Sequence, residues 1–321
     1  MTTARRVPPG VRGALARDPR SLAQLITGIE VGDPSVQPVL KALYPKTGHA
    51  RLVGITGPLG VGKSSLINAL LRRLREAGTS VGIVAVDPSS PFSGGSVLGD
   101  RIRLERRPED RGVFIRSMAS RGHAGGVAAT TREVTRLLDA VGFDVILIET
   151  VGSGQVDIEI RDVATTNVVV LVPHLGDEVQ TLKAGLFEIA DVFCLNKADL
   201  PGVEGATRDL AELVGLGASA SGWRPPIVAT STETDAGIED LWKAVEAHEA
   251  FLDSSGLRSA TDRDRAAREI EALVRDRVGS EVQDHLLRSP SAARLLDRVV
   301  AREIDPRAAA SQLYRELRPR A

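Results

Sequence analysis

The sequence predicts an α/β protein built on a mostly parallel β-sheet, with helical segments before and after it. Between about residues 48 and 252, apolar runs of strand length alternate with amphipathic stretches of helical spacing. Continuous apolar strands separated by helices are typical of a parallel sheet that is covered on both faces. The strand-length runs lie at residues 52–56, 81–86, 113–115, 145–148, 168–172, 192–195 and 227–229.

The segments that flank this alternating region have a different character. Residues 1–46 show helical spacing broken by prolines, which predicts a helical N-terminal extension. Residues 254–321 are charged, carry apolar residues such as Ile270 and Val274 at helical spacing, and contain no strand-length run. We therefore expect a core domain over residues 47–253 and a helical C-terminal arm. That arm could pack on the core domain or form a dimerisation element.

The composition is that of a globular protein with a substantial core. The chain has 321 residues, of which 42% are hydrophobic and 26% are charged. Its formal net charge of −1 creates no overall field that favours nucleic acid or an anionic membrane surface, so we expect neither partner. No apolar stretch reaches the ~18 residues needed to span a bilayer. The N-terminus is rich in arginine, faintly like a transit peptide, but we expect a cytoplasmic protein with a solvated basic start.

The single cysteine, Cys194, excludes a disulfide framework and a cysteine-cluster metal site. It lies within the apolar run 192–195, where a small core residue is expected.

Residues 57–64 follow the pattern G-x-x-x-x-G-K-[S/T], between a strand-length run and a helical stretch. Glycines allow backbone N–H groups to turn inward around phosphate oxygens, and a helix N-terminus adds partial positive charge. Lys63 would place its charge on the β- and γ-phosphates, and Ser64 would offer a hydroxyl to Mg²⁺. The pattern predicts a nucleotide site rather than a chance glycine-rich turn. Its expected contacts are Gly57, Pro58, Leu59, Gly60, Val61, Gly62, Lys63, Ser64 and Ser65.

The sequence Asn196-Lys197-Ala198-Asp199 directly follows a strand-length run, where N-K-x-D reads guanine in P-loop proteins. The Asp199 carboxylate can accept from guanine N1–H and the exocyclic amine, whereas adenine would leave it desolvated and unpaired. A plain surface turn is the alternative, but the upstream P-loop favours GTP or GDP as the ligand. A third contact to the base is expected from Ser231 and Thr232 after the last strand, although a smaller residue usually stands at position 232.

Acidic residues at strand ends are candidates for Mg²⁺ binding. Glu149 follows the run 145–148 and stands three residues before Gly152, which resembles the second metal motif of GTPases. Glu149 would hold Mg²⁺ through water, and the Gly152 N–H would contact the γ-phosphate. Asp87 and Asp100 are candidates for Mg²⁺ or for the attacking water. Alternatively, Glu149 caps a loop, and the two aspartates are turn or helix N-cap residues.

Longer motifs carry a specific resemblance. Two of them are long: DPSSPFSGGSVLGDRIRL at residues 87–104 and RSMASRGH at residues 116–123. The other two are Glu149-Thr-Val-Gly152 and Asn196-Lys-Ala-Asp199. Over about residues 20–260, the chain resembles the methylmalonyl-CoA mutase-associated GTPase chaperones, once labelled arginine/ornithine transport kinases. The resemblance implies a homodimeric P-loop GTPase of the metallochaperone type. Such a protein gates adenosylcobalamin loading into an acyl-CoA mutase and protects or reactivates that enzyme.

The resemblance also implies roles for individual residues. Asp87, Asp100 and Glu149 match the carboxylates around Mg²⁺. With the motif residues Lys63 and Gly152, Asp100 and Glu149 make up the predicted catalytic set. An additional switch loop that meets the mutase is matched by Asp177, Glu178, Gln180 and Lys183, although Lys183 could equally be a solvated lysine. The segments 153–157 and 173–175, with His174, depart from the family pattern. The implied partner is therefore methylmalonyl-CoA mutase or a relative that acts on another acyl-CoA.

Two other functions remain as alternatives. A nickel-insertion accessory GTPase tends to carry His-rich tracts, whereas the five histidines here are scattered. A small-molecule or protein kinase would need an acceptor site, for which the sequence offers no pattern. We expect in-line attack of water on the γ-phosphate, with slow intrinsic hydrolysis because no arginine finger in cis is evident.

Overall fold

The computed structural model contains a seven-stranded β-sheet in which each neighbouring pair of strands is parallel. It describes residues 10–88, 110–120, 126–150, 160–173, 185–216 and 222–317. The spatial strand order is β3-β2-β4-β1-β5-β6-β7. The strands are β1 (Arg51–Thr56), β2 (Val81–Pro88), β3 (Val113–Ser120), β4 (Val145–Thr150), β5 (Thr166–Leu171), β6 (Val192–Leu195) and β7 (Ile227–Ala229). Every strand-length run therefore forms a strand, and the predicted fold class is confirmed.

Helices precede, connect and follow these strands. Short 3-10 turns lie at Pro34–Val36, Tyr44–Lys46 and Ile160–Asp162. The helices are α1 (Val11–Leu15), α2 (Pro19–Glu30), α3 (Gln37–Leu43), α4 (Lys63–Glu76), α5 (Gly126–Ala140), α6 (Leu186–Ile189), α7 (Val203–Leu216), α8 (Ile238–Ser254), α9 (Leu257–Arg288), α10 (Pro290–Val300) and α11 (Pro306–Leu317). No helix in the described ranges is both long enough and apolar enough to cross a membrane.

Two apolar layers cover the sheet, one on each face. All six residues of β4 are buried, and their side chains alternate between the layers because successive strand residues point to opposite faces. Val145 and Leu147 join the layer formed with α4 and α8, whereas Ile146 and Ile148 join the layer that includes α2 and α5. Burial of each such side chain stabilises the fold by about 1.5–3 kcal/mol.

The N-terminal helices are part of the main core. Leu22 and Ile26 of α2 are fully buried in the same apolar layer as Phe114 of β3 and Leu137 of α5. The chain divides into two compact units, Met1–Asp262 and Arg263–Ala321, so the N-terminal helices belong to the unit that contains the sheet. Helical segments on both sides of the sheet region agree with the expected architecture.

A single carboxylate anchors the segment that leads from the N-terminal helices to β1. Asp139 of α5 is buried and accepts hydrogen bonds from the backbone N–H groups of Gly48, His49 and Ala50, at 2.5, 3.1 and 2.9 Å. Backbone donors in such a partly buried turn need partners, and here one side chain supplies three of them.

We expect Asp139→Ala to lower the free energy of unfolding by about 2–3 kcal/mol, because it removes a charged acceptor from partly buried backbone donors. Urea denaturation followed by circular dichroism measures this loss. Asp209→Ala, at an exposed position of α7, is the matched control and should change stability little. Equal stabilities of the two variants would contradict the anchoring role of Asp139.

The second compact unit has a small core of its own. Ala292 and Leu295 of α10 are buried against Ala309 and Leu313 of α11, and Val282 of α9 packs on this cluster. Further toward the N-terminus of α9, large apolar side chains at helical spacing are exposed. They are Ile270, Leu273, Val274 and Val278, which are 63%, 52%, 56% and 48% exposed.

Candidate nucleotide site

The loop between β1 and α4 has backbone geometry that requires glycine at two positions. Gly57 has a φ of 141°, and a Cβ there would lie 2.2 Å from the Val170 carbonyl oxygen. Gly62 has a φ of 92°, and a Cβ there would lie 2.5 Å from Asn196 Nδ2. A side chain at either position would therefore clash with a fixed neighbour. The loop can pass close to β5 and β6 only because these side chains are absent.

Lys63 begins α4, and its side chain returns into the loop. Lys63 is 6% exposed, and its Nζ donates to the carbonyl oxygens of Gly57 at 2.6 Å and Pro58 at 2.8 Å. The ammonium charge therefore lies beside the N-terminus of α4, where the first helical N–H groups have no partner within the helix. Both features favour an anion at this place.

Ser64 and Glu149 meet at the carboxyl edge of the sheet. The Ser64 hydroxyl donates to Glu149 Oε1 at 2.6 Å, although the two residues come from α4 and β4. Burial raises the pKa of the Glu149 carboxyl above its ordinary value, while the Ser64 hydrogen bond and the Lys63 charge act in the opposite direction. A buried carboxylate of this kind needs a compensating positive charge or donor.

The oxygen donors at this edge fit Mg²⁺, which prefers carboxylate and hydroxyl ligands. Asp87 lies at the carboxyl end of β2, next to β4, since Ala85 pairs with Glu149 and Val86 with Thr150. Within the described parts of the chain, no group of three or more His, Cys, Asp and Glu side chains could hold a metal alone. Sites that bind Mg²⁺ with a nucleotide commonly use only one or two protein carboxylates together with substrate phosphates.

The predicted base-reading motif is hydrogen-bonded to the P-loop. Asn196 is fully buried, and its Nδ2 donates to the Val61 carbonyl oxygen at 2.8 Å. Lys197 Nζ donates to the Gly60 carbonyl oxygen at 2.9 Å, and Lys197 adopts a positive φ of 58°. A non-glycine residue in this conformation is uncommon and is held by its surroundings. The end of β6 and the phosphate loop thus form one connected surface.

The segment after β7 completes this surface. Ser231 Oγ donates to Asp199 Oδ1 at 2.6 Å, and the Ala198 N–H donates to the Thr230 carbonyl oxygen at 2.9 Å. Thr230 Oγ1 also donates to Asn196 Oδ1 at 3.1 Å. The predicted residues Asn196, Asp199 and Ser231 therefore lie together, and Thr232 follows directly in the chain.

Some contacts at the site were not predicted from the sequence. Thr230 supports Asn196, and Thr56 lies against Thr150 immediately before the P-loop. In each case the available signal was a threonine at, or directly after, the carboxyl end of a strand and next to a motif residue.

Other predicted site residues lie outside the described residues. They are Asp100, Gly152, Asp177, Glu178, Gln180 and Lys183, together with His174. Their assignments as catalytic, metal-binding or partner-contacting residues stay predictions. Cys194, by contrast, is fully buried in the core as expected, with burial raising the pKa of its thiol to about 12.

Comparisons with known proteins agree with this geometry. Residues 22–286 match the family described as methylmalonyl Co-A mutase-associated GTPase MeaB. A Pyrococcus abyssi protein named for an inferred GTPase activity is 44% identical over 303 residues, which cover 94% of this chain and 93% of the relative. The Escherichia coli protein named GTPase ArgK is 34% identical over 274 residues, which cover 83% of this chain and 82% of the relative.

The fold also resembles that of a solved structure. A crystal structure described as LAO/AO transport system kinase aligns with a TM-score of 0.71 and 25% identity, and the alignment covers 99% of both chains. An alignment of this extent includes the helical segments that precede and follow the sheet region in the sequence.

Proposed function

Because the chain belongs to the methylmalonyl-CoA mutase-associated GTPase family, we propose that it binds and hydrolyses GTP to regulate an adenosylcobalamin-dependent acyl-CoA mutase. In this role it gates cofactor loading and protects or reactivates the mutase. The observation that carries the proposal is the direct hydrogen bonding between the guanine motif and the P-loop, from Asn196 to Val61 and from Lys197 to Gly60. These hydrogen bonds hold together two motifs that are separated in sequence, which supports their use as one nucleotide site.

Guanine recognition falls to Asp199 in this proposal. Ser231 fixes one carboxylate oxygen through a 2.6 Å hydrogen bond, which orients the side chain at the surface beside Lys197. A carboxylate held in this way accepts from guanine N1–H and the exocyclic amine, and adenine offers no matching pair of donors. The aliphatic stem of Lys197 covers one face of the base.

Phosphate binding and hydrolysis fall to the P-loop and the β4 edge. Lys63 stabilises the negative charge that develops on the β- and γ-phosphates during in-line attack by water. Ser64, Glu149 and Asp87 would hold Mg²⁺, which supplies charge neutralisation on the phosphate oxygens when it is bound. We expect slow hydrolysis by the isolated protein, with acceleration by the mutase.

The test is GTP hydrolysis by the purified protein, alone and with each adenosylcobalamin-dependent acyl-CoA mutase of the same organism. We expect one mutase to raise the hydrolysis rate at least severalfold. GTP should bind with measurable affinity in its absence. If no mutase changes the rate while GTP still binds, the mutase role is wrong and only the nucleotide assignment stands. A protein that is fully active alone would contradict the slow intrinsic rate.

We also propose that the protein is a homodimer, as the family resemblance implies. The apolar stripe of α9, formed by the exposed residues Ile270, Leu273, Val274 and Val278, supports this proposal. Monomeric proteins rarely expose a large continuous apolar patch. A second copy could cover the stripe, as in other helical interfaces.

For the dimer, we expect Val274→Glu to shift the protein from dimer to monomer, since a charge would be buried in an apolar contact. Size-exclusion chromatography with light scattering measures the mass. Arg275→Glu introduces the same side chain at an exposed position off the stripe and should leave the mass unchanged. A monomeric parent protein at micromolar concentration, or a dimeric Val274→Glu variant, would remove α9 from the interface.

A further inference from the structure

Two buried threonines join the ends of the strands that lead into the nucleotide site. Thr150 Oγ1 donates to Thr56 Oγ1 at 2.9 Å, and the residues are 2% and 0% exposed. The backbone pairing of β1 with β4 ends one residue earlier, at Ile55 and Glu149. The hydroxyl pair therefore continues the contact between these strands by one residue, up to the point where both chains leave the sheet.

Each threonine adjoins a residue that the proposed chemistry needs. Thr56 directly precedes Gly57, whose carbonyl oxygen accepts from Lys63 Nζ. Thr150 directly follows Glu149, whose carboxyl accepts from the Ser64 hydroxyl. A small displacement of either strand end would change the distance between the phosphate loop and the Glu149 carboxyl.

The two hydroxyl contacts of β4 lie on opposite faces of the sheet. Successive side chains of a strand alternate, so Glu149 faces α4 while Thr150 faces the layer that contains Ile146 and Ile148. The end of β4 is thus held from one face by Ser64 and from the other by Thr56. Backbone pairing with β2 reaches Thr150 on the other side of β4, and the Thr56 hydroxyl adds a contact on the β1 side, where backbone pairing has ended.

We propose that Thr56 and Thr150 form a positioning pair that sets the place of Glu149 relative to the P-loop and thereby the affinity of the nucleotide site for Mg²⁺. The proposal rests on the proposed function, because it assigns Glu149 to the metal. Replacing a residue that orients a metal ligand without itself binding the metal typically lowers metal affinity about 10–100-fold. Neither threonine touches the nucleotide or the metal in this account.

Valine is the informative replacement because it matches the shape of threonine and suits a strand, yet it lacks the hydroxyl. Serine at the same position restores a hydroxyl. Both threonines make further interactions, so the pair is isolated by comparing Thr56→Val, Thr150→Val and the double variant. Thr135→Val removes another buried threonine hydroxyl, one that bonds within α5 to the Arg132 carbonyl oxygen, and serves as the matched control.

The measurement is the release of fluorescent GDP across a range of Mg²⁺ concentrations, with GTP hydrolysis by the parent protein measured beside it. We expect Thr150→Val to raise the Mg²⁺ concentration for half-maximal GDP retention about tenfold. GDP affinity in EDTA should stay unchanged. Thr150→Ser should restore the parent value, and the double variant should be no worse than the single ones.

Three results would overturn the inference. If GDP retention by the parent protein depends on Mg²⁺ and the Thr150→Val variant shows the same dependence, this inference is wrong while the proposed function still stands. Equal loss of GDP affinity in EDTA and in Mg²⁺ would do the same, because it would place the effect in the fold of the loop. A parent protein that hydrolyses no GTP would overturn the proposed function and this inference with it.

Discussion

We expect Asp199→Asn to weaken GTP binding on the order of 100-fold, since each hydrogen bond to a charged group is worth about 1.5–3 kcal/mol. The amide oxygen can still accept from Ser231 Oγ, which now donates to Asp199 Oδ1 at 2.6 Å. The amide nitrogen, however, is a donor that faces the donors of guanine. Xanthine carries an oxygen at the 2-position, so xanthosine triphosphate should bind the variant more tightly than GTP does.

Calorimetric titration of both nucleotides into the parent protein and the variant measures this exchange of preference. Asp209→Asn makes the same chemical change at an exposed position of α7 and should leave both affinities as they are. If Asp199→Asn lost the same factor for GTP and for xanthosine triphosphate, Asp199 would not contact the base. The change of preference thus separates base recognition from general damage to the site.

The sheet could be predicted from the sequence because its strands are buried on both faces. Runs such as 145–148 are continuously apolar, and every residue of β4 is indeed buried. The strand ends predicted from the sequence were less accurate where polar residues continue the strand. β3 extends to Ser120 and β4 to Thr150, beyond the apolar runs that predicted them. Hydrogen bonding along a parallel sheet continues through residues that hydrophobic patterning does not detect.

The phosphate and base motifs could also be located from the sequence, because their chemistry depends on fixed spacing along the chain. The contacts between the motifs could not. The Nδ2 hydrogen bond of Asn196 to Val61 joins residues 135 positions apart, and the Thr56–Thr150 pair joins residues 94 apart. Such contacts depend on the strand order, in which β1 lies between β4 and β5. A local pattern does not determine that order.

The N-terminal segment illustrates a further limit of pattern reading. Its helical spacing predicted helices correctly, whereas its place in the main core follows from contacts with distant residues. Arg116 of β3 bonds to Glu30 and Thr27 of α2, and Asp139 of α5 holds the turn before β1. The Arg116 contacts hold α2 against β3, the strand at one edge of the sheet.

Removal of the Lys63 ammonium should have the second large effect. Lys63 is 6% exposed and donates to the carbonyl oxygens of Gly57 and Pro58, so its charge is held inside the phosphate loop. A preorganised charge of this kind acts where negative charge develops in the transition state. We expect Lys63→Ala to lower kcat/KM for GTP hydrolysis about 10²–10³-fold, a loss comparable to removal of one oxyanion donor.

Single-turnover hydrolysis and equilibrium binding of GTP separate the two parts of this loss. Lys63→Arg keeps the positive charge but replaces a compact ammonium with a larger, planar guanidinium. The guanidinium does not fit between the two loop carbonyls, so the hydrolysis rate should stay low. Lys197→Ala removes an ammonium that bonds the same loop at Gly60 and should weaken binding more than the chemical step. If Lys63→Ala hydrolysed GTP at the parent rate, the transition-state charge would have to be stabilised elsewhere. Lys63 would then serve only to fold the loop.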